Sequence, residues 1–366
     1  MTRFGWAAFA ALVFFGTVAS VCAQPEPAEG LTRTKPGKED TKPKPIQMDP
    51  PRYPEGMSRA GLIGAVAVEF IIDREGRVVN PVIVESNNPW FERPALDAVL
   101  RWKFHPGLKD GRPVATRVTQ KIEFQLEGGG ATFWRISKTR NHDQLPLEMQ
   151  WHHAPTVSHS VFPVYPFAAL QTKTKGKTKL SFIIGPDGKT HNVRLEEATA
   201  PEMGLAVRAM LDAWRFNPGR MRDYTPAYAM VAIEHDFAPS GAGDVPVPPA
   251  ARAILRLLEK KPAEIATIAE LDRPLKSISR RPPVYPTALL DVGQPGAATI
   301  EFFVDKNGDA QLPRIVTSTA PEFGYAAAQA IATWRFEPPM KAGKAVIVRA
   351  QIPLEFTPRE EGAKGR

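Results

Sequence analysis

Four of the seven histidines, His142, His152, His153 and His159, fall in the stretch 128–160. A metal centre needs several ligands held in one geometry. No cysteine or close acidic cluster joins these histidines, and their spacing is irregular, so they make no ligand set. Ser158-His159-Ser160 brings a nucleophile and a base together by residue type. Nucleophilic catalysis also needs an orienting group and a strand-turn-helix setting, and neither flanks this triplet. The single cysteine, Cys22, lies near the amino terminus, which leaves no thiol chemistry for the body of the chain. No catalytic residue, metal ligand, cofactor or small-molecule substrate is therefore assigned. The net charge of +8 favours anionic partners in general. The 47 basic residues are scattered among 39 acidic ones, a pattern of solvated surface rather than of a nucleic-acid groove.

The elements that carry these residues follow from a repeat. Trp102-Lys103-Phe104-His105-Pro106, Trp214-Arg215-Phe216-Asn217-Pro218 and Trp334-Arg335-Phe336-Glu337-Pro338 share one pattern: Trp, a base, Phe, any residue, Pro. A Tyr-Pro pair opens 49 residues before each Trp, at Tyr53, Tyr165 and Tyr285. Glycines recur in register at 64, 176 and 296, and again at 76, 188 and 308. A fixed internal register of this kind is the signature of tandem copies of one folding unit. The copies are read as modules at 46–127, 161–239 and 281–358. Spacers span 128–160 and 240–280, the second containing a helix over 250–260, and residues 359–366 form a disordered tail.

Within the first copy, Tyr53-Pro54 opens a short helical stretch through Arg59. Val66, Val68, Phe70 and Ile72 alternate as on a half-buried strand. Asp73-Arg74-Glu75-Gly76 supplies a turn, and a second strand from Arg77 to Glu85 completes a hairpin. Phe91, Ala95, Ala98, Val99 and Trp102 then share one helical face, with Pro106 as the stop. A last strand places Val118, Ile122, Phe124 and Leu126 on one face and Arg117, Thr119, Lys121 and Glu123 on the other. The other copies repeat these patterns. The expected class is α+β: three tandem β-β-α-β modules, each a small antiparallel sheet against a helix, with a short helix before the first strand. Tyr53, Trp102, Phe104, Tyr165, Trp214, Phe216, Tyr285, Trp334 and Phe336 are expected in the cores, because large aromatics at helical spacing pack inward. His235 stands where the other copies place Ile122 and Leu354, and a register change that leaves it solvated at the strand end is expected.

These features, taken together, resemble the carboxy-terminal domain of the TonB family. The resemblance rests on Tyr-Pro, the Gly before the first strand, the Asp-x-x-Gly or Pro-Asp-Gly turn and Trp-[Lys/Arg]-Phe-x-Pro. It implies a non-enzymatic domain whose last strand is an exposed edge that pairs with a short segment of an outer-membrane transporter. Carried to this chain, the edge is the last strand of the first module, with Arg117, Thr119, Lys121 and Glu123 on its outward side. The implied partner is an envelope protein, such as an outer-membrane transporter or its periplasmic segment. Two departures stand out. This chain has three copies, and Pro50, Phe162 and Pro282 occupy the place before Tyr-Pro where family members often carry a Gln.

Met1–Ala23 has one base, an apolar run and a small-residue exit at Val21-Cys22-Ala23, and is read as a cleaved signal peptide. The alternative is a retained membrane anchor, since the apolar run nearly reaches the ~20 residues that span a bilayer. Residues 24–45 are a Pro/Lys-rich tether reaching roughly 70 Å at full extension. The expected function is a periplasmic binding or adaptor protein that pairs its edge strands with peptide segments. An inner-membrane-anchored transducer is the alternative, and a cell-wall hydrolase, from another class, finds no shared carboxylate pair or triad.

Overall fold

The computed structural model describes residues 40–54, 63–125, 144–239, 245 and 247–358. The signal segment, most of the tether, the helical stretch after Tyr53-Pro54, His142, Phe133, Trp134, Leu126 and the tail lie outside the described residues. The chain forms two compact units divided at Gly130/Ala131.

In the first unit, strand β1 (Lys44–Gln47) precedes a hairpin of β2 (Gly64–Ile72) and β3 (Val78–Ser86). Helix α1 (Glu92–Val99), strand β4 (Lys103–His105) and strand β5 (Thr116–Phe124) follow. The main sheet is antiparallel in the order β3-β2-β5, so the first strand is central. Val66, Val68, Phe70 and Ile72 are buried on the face that α1 covers, against Ala95, Ala98 and Val99. Gly76 takes φ +80° in the β2–β3 turn, and a Cβ there would lie 1.8 Å from the Phe104 carbonyl oxygen. The close approach is a backbone hydrogen bond in which Phe104 N–H donates to the Gly76 carbonyl at 2.9 Å. Gly188–Phe216 (2.9 Å) and Gly308–Phe336 (2.8 Å) repeat it, which ties the turn glycine to the Phe of the repeated phrase.

The phrase itself is not the end of a helix. α1 ends at Val99, and Trp102 lies beyond it, followed by β4. β4 pairs antiparallel with β1, so the segment entering the module and the phrase form a second, two-stranded ribbon. Three residues paired with a distant segment leave no periodic pattern, so alternation along the sequence does not mark this strand.

The second unit holds two such arrangements. First come β6 (Thr156–His159), α2 (Phe167–Gln171), β7 (Gly176–Ile184), β8 (Thr190–Ala198), α3 (Pro201–Ala213), β9 (Arg215–Asn217) and β10 (Ala229–Phe237). Helix α4 (Pro249–Lys260) and the two-residue strand β11 (Ala266–Thr267) lie in the spacer. Then come β12 (Ser277–Ser279), β13 (Gly296–Val304), β14 (Ala310–Ser318), α5 (Pro321–Ile331), β15 (Arg335–Phe336) and β16 (Val348–Phe356). The sheets run β8-β7-β10 and β11-β16-β13-β14, with ribbons β6–β9 and β12–β15. The short element before the first strand is α2 in one arrangement and a single 3-10 turn, Thr287–Leu289, in the other. α4 buries Ala251 and Ile254 and lies against β14.

Helices α3 and α5 pack on each other through Ala206, Ala209 and Tyr325, with Leu205 and Ile315 at the margin. Polar clamps flank this contact. The Asp212 carboxylate accepts from the Thr287 hydroxyl at 2.6 Å and its N–H at 3.2 Å. Gln329 Nε2 donates to the Phe162 carbonyl at 2.8 Å. The spacer before the second arrangement is partly packed: Trp151 is buried, whereas Leu147 is 71% exposed.

Candidate functional site

The aromatic residues fix the frame in which the sheet edges are held. Trp102, Trp214 and Trp334 are buried, and each indole N–H donates at 2.8 Å to the carbonyl four residues before the module's Tyr: Asp49, Val161 and Arg281. The constant spacing between Tyr-Pro and Trp thus has a physical cause, since the Trp pins the entering segment across the core. Tyr165 and Tyr285 donate to the carbonyls of Thr174 and Gln294, at 2.6 and 2.7 Å. Burial pushes the Tyr53 and Tyr165 phenols up to about 12. Phe104, Phe216 and Phe336 pack beside the Trp of the same phrase and the central-strand Phe70, Phe182 and Phe302.

Held in that frame, β5 pairs with β2 alone among the described residues. Arg117, Thr119, Lys121 and Glu123 are all exposed, while Gln120, Ile122 and Phe124 are buried. Arg117 pairs with Glu69 across the face at 3.1 Å, and Lys121 with Glu123 at 3.0 Å. Charged side chains along the open side of an edge strand oppose random edge-to-edge association.

The in-plane direction of those backbone groups follows from the third sheet. Ala266 N–H of β11 donates to the Ile347 carbonyl at 2.9 Å, so Ile347 faces away from β13. No register slip interrupts β16 against β13 from Val348 to Phe356. Alternation then turns Arg349, Gln351, Pro353 and Glu355 outward. Pro353 lies opposite Thr299 as Lys121 lies opposite Ala67, at the same distance from Gly296 and Gly64. Arg117, Thr119, Lys121 and Glu123 therefore direct their N–H and C=O groups away from β2. The second sheet agrees: Tyr228 N–H donates outward to the Glu148 carbonyl (2.9 Å), and the Asp236 carbonyl accepts from Val245 N–H (3.3 Å).

The histidines disperse. His153 stacks on Tyr224 with ring centres 4.6 Å apart, His159 belongs to β6, and His152 is exposed. Among the described residues no three His, Cys, Asp or Glu side chains converge as a metal site. His235 corrects the sequence reading. β10 keeps register against β7 along its whole length, and His235 is 1% exposed opposite Thr178. Burial depresses its imidazole to about 3. The regular pairing to Phe237 keeps the strand from turning this residue out.

Small antiparallel sheets, each backed by a helix, define a class of α+β modules. This chain belongs to the Gram-negative bacterial TonB protein C-terminal family, which matches residues 49–126, 162–237 and 281–358. Protein TonB of Pseudomonas aeruginosa is 35% identical over 85 residues, 23% of this chain and 25% of that protein. Protein TonB of Vibrio cholerae serotype O1 is 37% identical over 79 residues, 21% of this chain and 32% of that protein. The chain thus spans about a quarter to a third of the length of these relatives. The solution NMR structure of the Pseudomonas aeruginosa TonB carboxy-terminal domain is 35% identical, covering 24% of this chain and 90% of that one, with a TM-score of 0.22.

Proposed function

We propose that the protein is a non-enzymatic adaptor of envelope transport, which takes up an extended peptide segment of an outer-membrane transporter as an added strand. The observation that carries this reading is β5, a nine-residue strand paired on one side, with charged side chains on its open face. Main-chain hydrogen bonds would supply affinity, and alternate side chains of the peptide would supply specificity. Membership of the TonB family supports a role facing the periplasm. Among the described residues no helix is long and apolar enough to cross a membrane. The anchored energy transducer is the second reading, favoured by the TonB relatives. Sequencing the amino terminus of protein taken from cells separates the two, since cleavage leaves Gln24 first.

Strand addition is tested by proline at paired positions. Lys121→Pro deletes an outward N–H and should leave the first module folded, because proline is tolerated on the open side of an edge strand. Binding of a peptide from the periplasmic segment of an outer-membrane transporter should fall by about tenfold per lost backbone hydrogen bond. Gln120→Pro deletes an inward N–H and should unfold the module instead. A folded Lys121→Pro protein that binds the peptide like its parent would rule out addition at β5.

A further inference from the structure

The three edges are not equally open. We propose that the third module is closed to partner strands by the chain's own spacer, which directs an incoming segment to β5 of the first module. This rests on the strand-addition reading given above.

Closure has three parts. β11 lies parallel on the outer side of β16, Ala266 opposite Val348 and Thr267 opposite Arg349. Ile265 and Ala266 are buried there, so the contact is packed as well as hydrogen-bonded. A clip then holds the spacer in place. Thr267 and Glu270 form a reciprocal cap, and the Glu270 carboxylate also pairs with Lys341 at 2.5 Å. Asp272 accepts from the N–H groups of Ala342 (2.7 Å) and Gly343 (2.9 Å), and donates its own N–H to Met340 (2.8 Å). Farther along, Pro353 puts a ring where an added strand would need an N–H donor. Occupation at the start and a missing donor in the middle leave no run of outward groups long enough for a second strand.

The clip is shared in part, since Asp40 of the first copy, at the position of Asp272, accepts from Asp110 N–H at 2.9 Å, but among the described residues only β16 carries an added strand on its outer side. At the sequence positions of Glu270 and Lys341 the first copy carries Lys38 and Lys109, two like charges, and the second carries Gln150 and Met221. Opposite the central strand, Lys121 and Glu234 replace Pro353. The second module is intermediate: its edge is engaged at Tyr228 and Asp236, leaving Met230, Ala232 and Glu234 outward between them. Among the described residues the first module keeps four consecutive outward positions free of an added strand, with the Lys121 carbonyl also accepting from Gln120 Nε2 at 2.9 Å.

Hydrogen exchange on the full-length chain tests this, with a synthetic peptide from the periplasmic segment of an outer-membrane transporter as probe. Without peptide, the Ala266 amide should exchange on the order of tenfold or more slower than exposed-loop amides, and Glu270→Ala with Asp272→Ala should remove that protection. With peptide, protection should appear at residues 117–123 and be absent from 351–355. In the clip variant carrying Pro353→Lys, residues 349–355 should become protected too. Unprotected Ala266 in the parent, or peptide protection at 351–355 in the parent, overturns the proposal. Slow Ala266 exchange with no peptide protection on either edge upholds closure of the third module and rejects strand addition as the function.

Discussion

His235 shows how one buried group sets a pH response. It occupies the inward place that Ile122 and Leu354 hold in the other sheets, and its imidazole is kept neutral by desolvation. With its folded value depressed to about 3 from 6.5, the unfolded chain takes the proton first. Its stabilising contribution is full above pH 6.5 and is lost as pH falls toward 3, by about 1.4 kcal/mol per unit. His235→Ile should therefore gain on the parent steadily as the pH is lowered from 6.5 to 4. Urea unfolding at stepped pH reads this difference. A constant gap between variant and parent would mean that the imidazole titrates normally in the folded state. The sequence placed this residue on the inward face by alignment, yet a polar residue near a strand end reads as a solvated exit. Only the unbroken pairing with β7 decides between the two.

At the scale of elements, the strands and helices were legible because each carries its own period: alternation in β2, helical spacing in α3 and α5. The ribbons β1–β4, β6–β9 and β12–β15 were not, because their partners are about 60 residues apart and too short to show a pattern. The edge of β5 was legible as a charged face, but the direction of its N–H groups needed the pairing of β11 on β16. The α3–α5 contact also escaped, since small residues such as Ala206 and Ala209 read as ordinary helix formers. Asp212 makes that contact measurable. Burial raises its carboxyl from 3.8 to about 6, against the lowering effect of the Thr287 hydrogen bonds. The folded state thus binds the proton more tightly than the unfolded chain. Its stabilising contribution is full below pH 3.8 and is lost as pH rises through 6. Asp212→Asn keeps an acceptor for Thr287 and should gain on the parent by about 1.4 kcal/mol per pH unit between 4 and 6, opposite in sense to His235→Ile. If the two proteins unfold with the same pH profile, Asp212 is not held in a dry contact.

At the scale of the whole chain, the three copies are not three independent bodies. The faces of α3 and α5 that meet are small and apolar, whereas α1 carries Arg93, Pro94 and Asp97 at the positions of Leu205, Ala206 and Ala209. Arg93 and Asp97 pair with each other at 2.9 Å and are half-buried, a charged face in place of a small apolar one. Two cooperative unfolding units are therefore expected, matching the two compact units. Calorimetry on the full-length chain should show two transitions. Trp102→Ala should lower only one of them, by about 3–5 kcal/mol, the usual cost of truncating a large buried aromatic. Trp214→Ala and Trp334→Ala sit in different sheets, but the helices and the Asp212–Thr287 clamp join those sheets, so both substitutions should lower the same second transition. A Trp214→Ala protein that keeps one part of that transition at the parental temperature would show that the second and third modules unfold separately. In that case the helix contact orients the modules without coupling their stability.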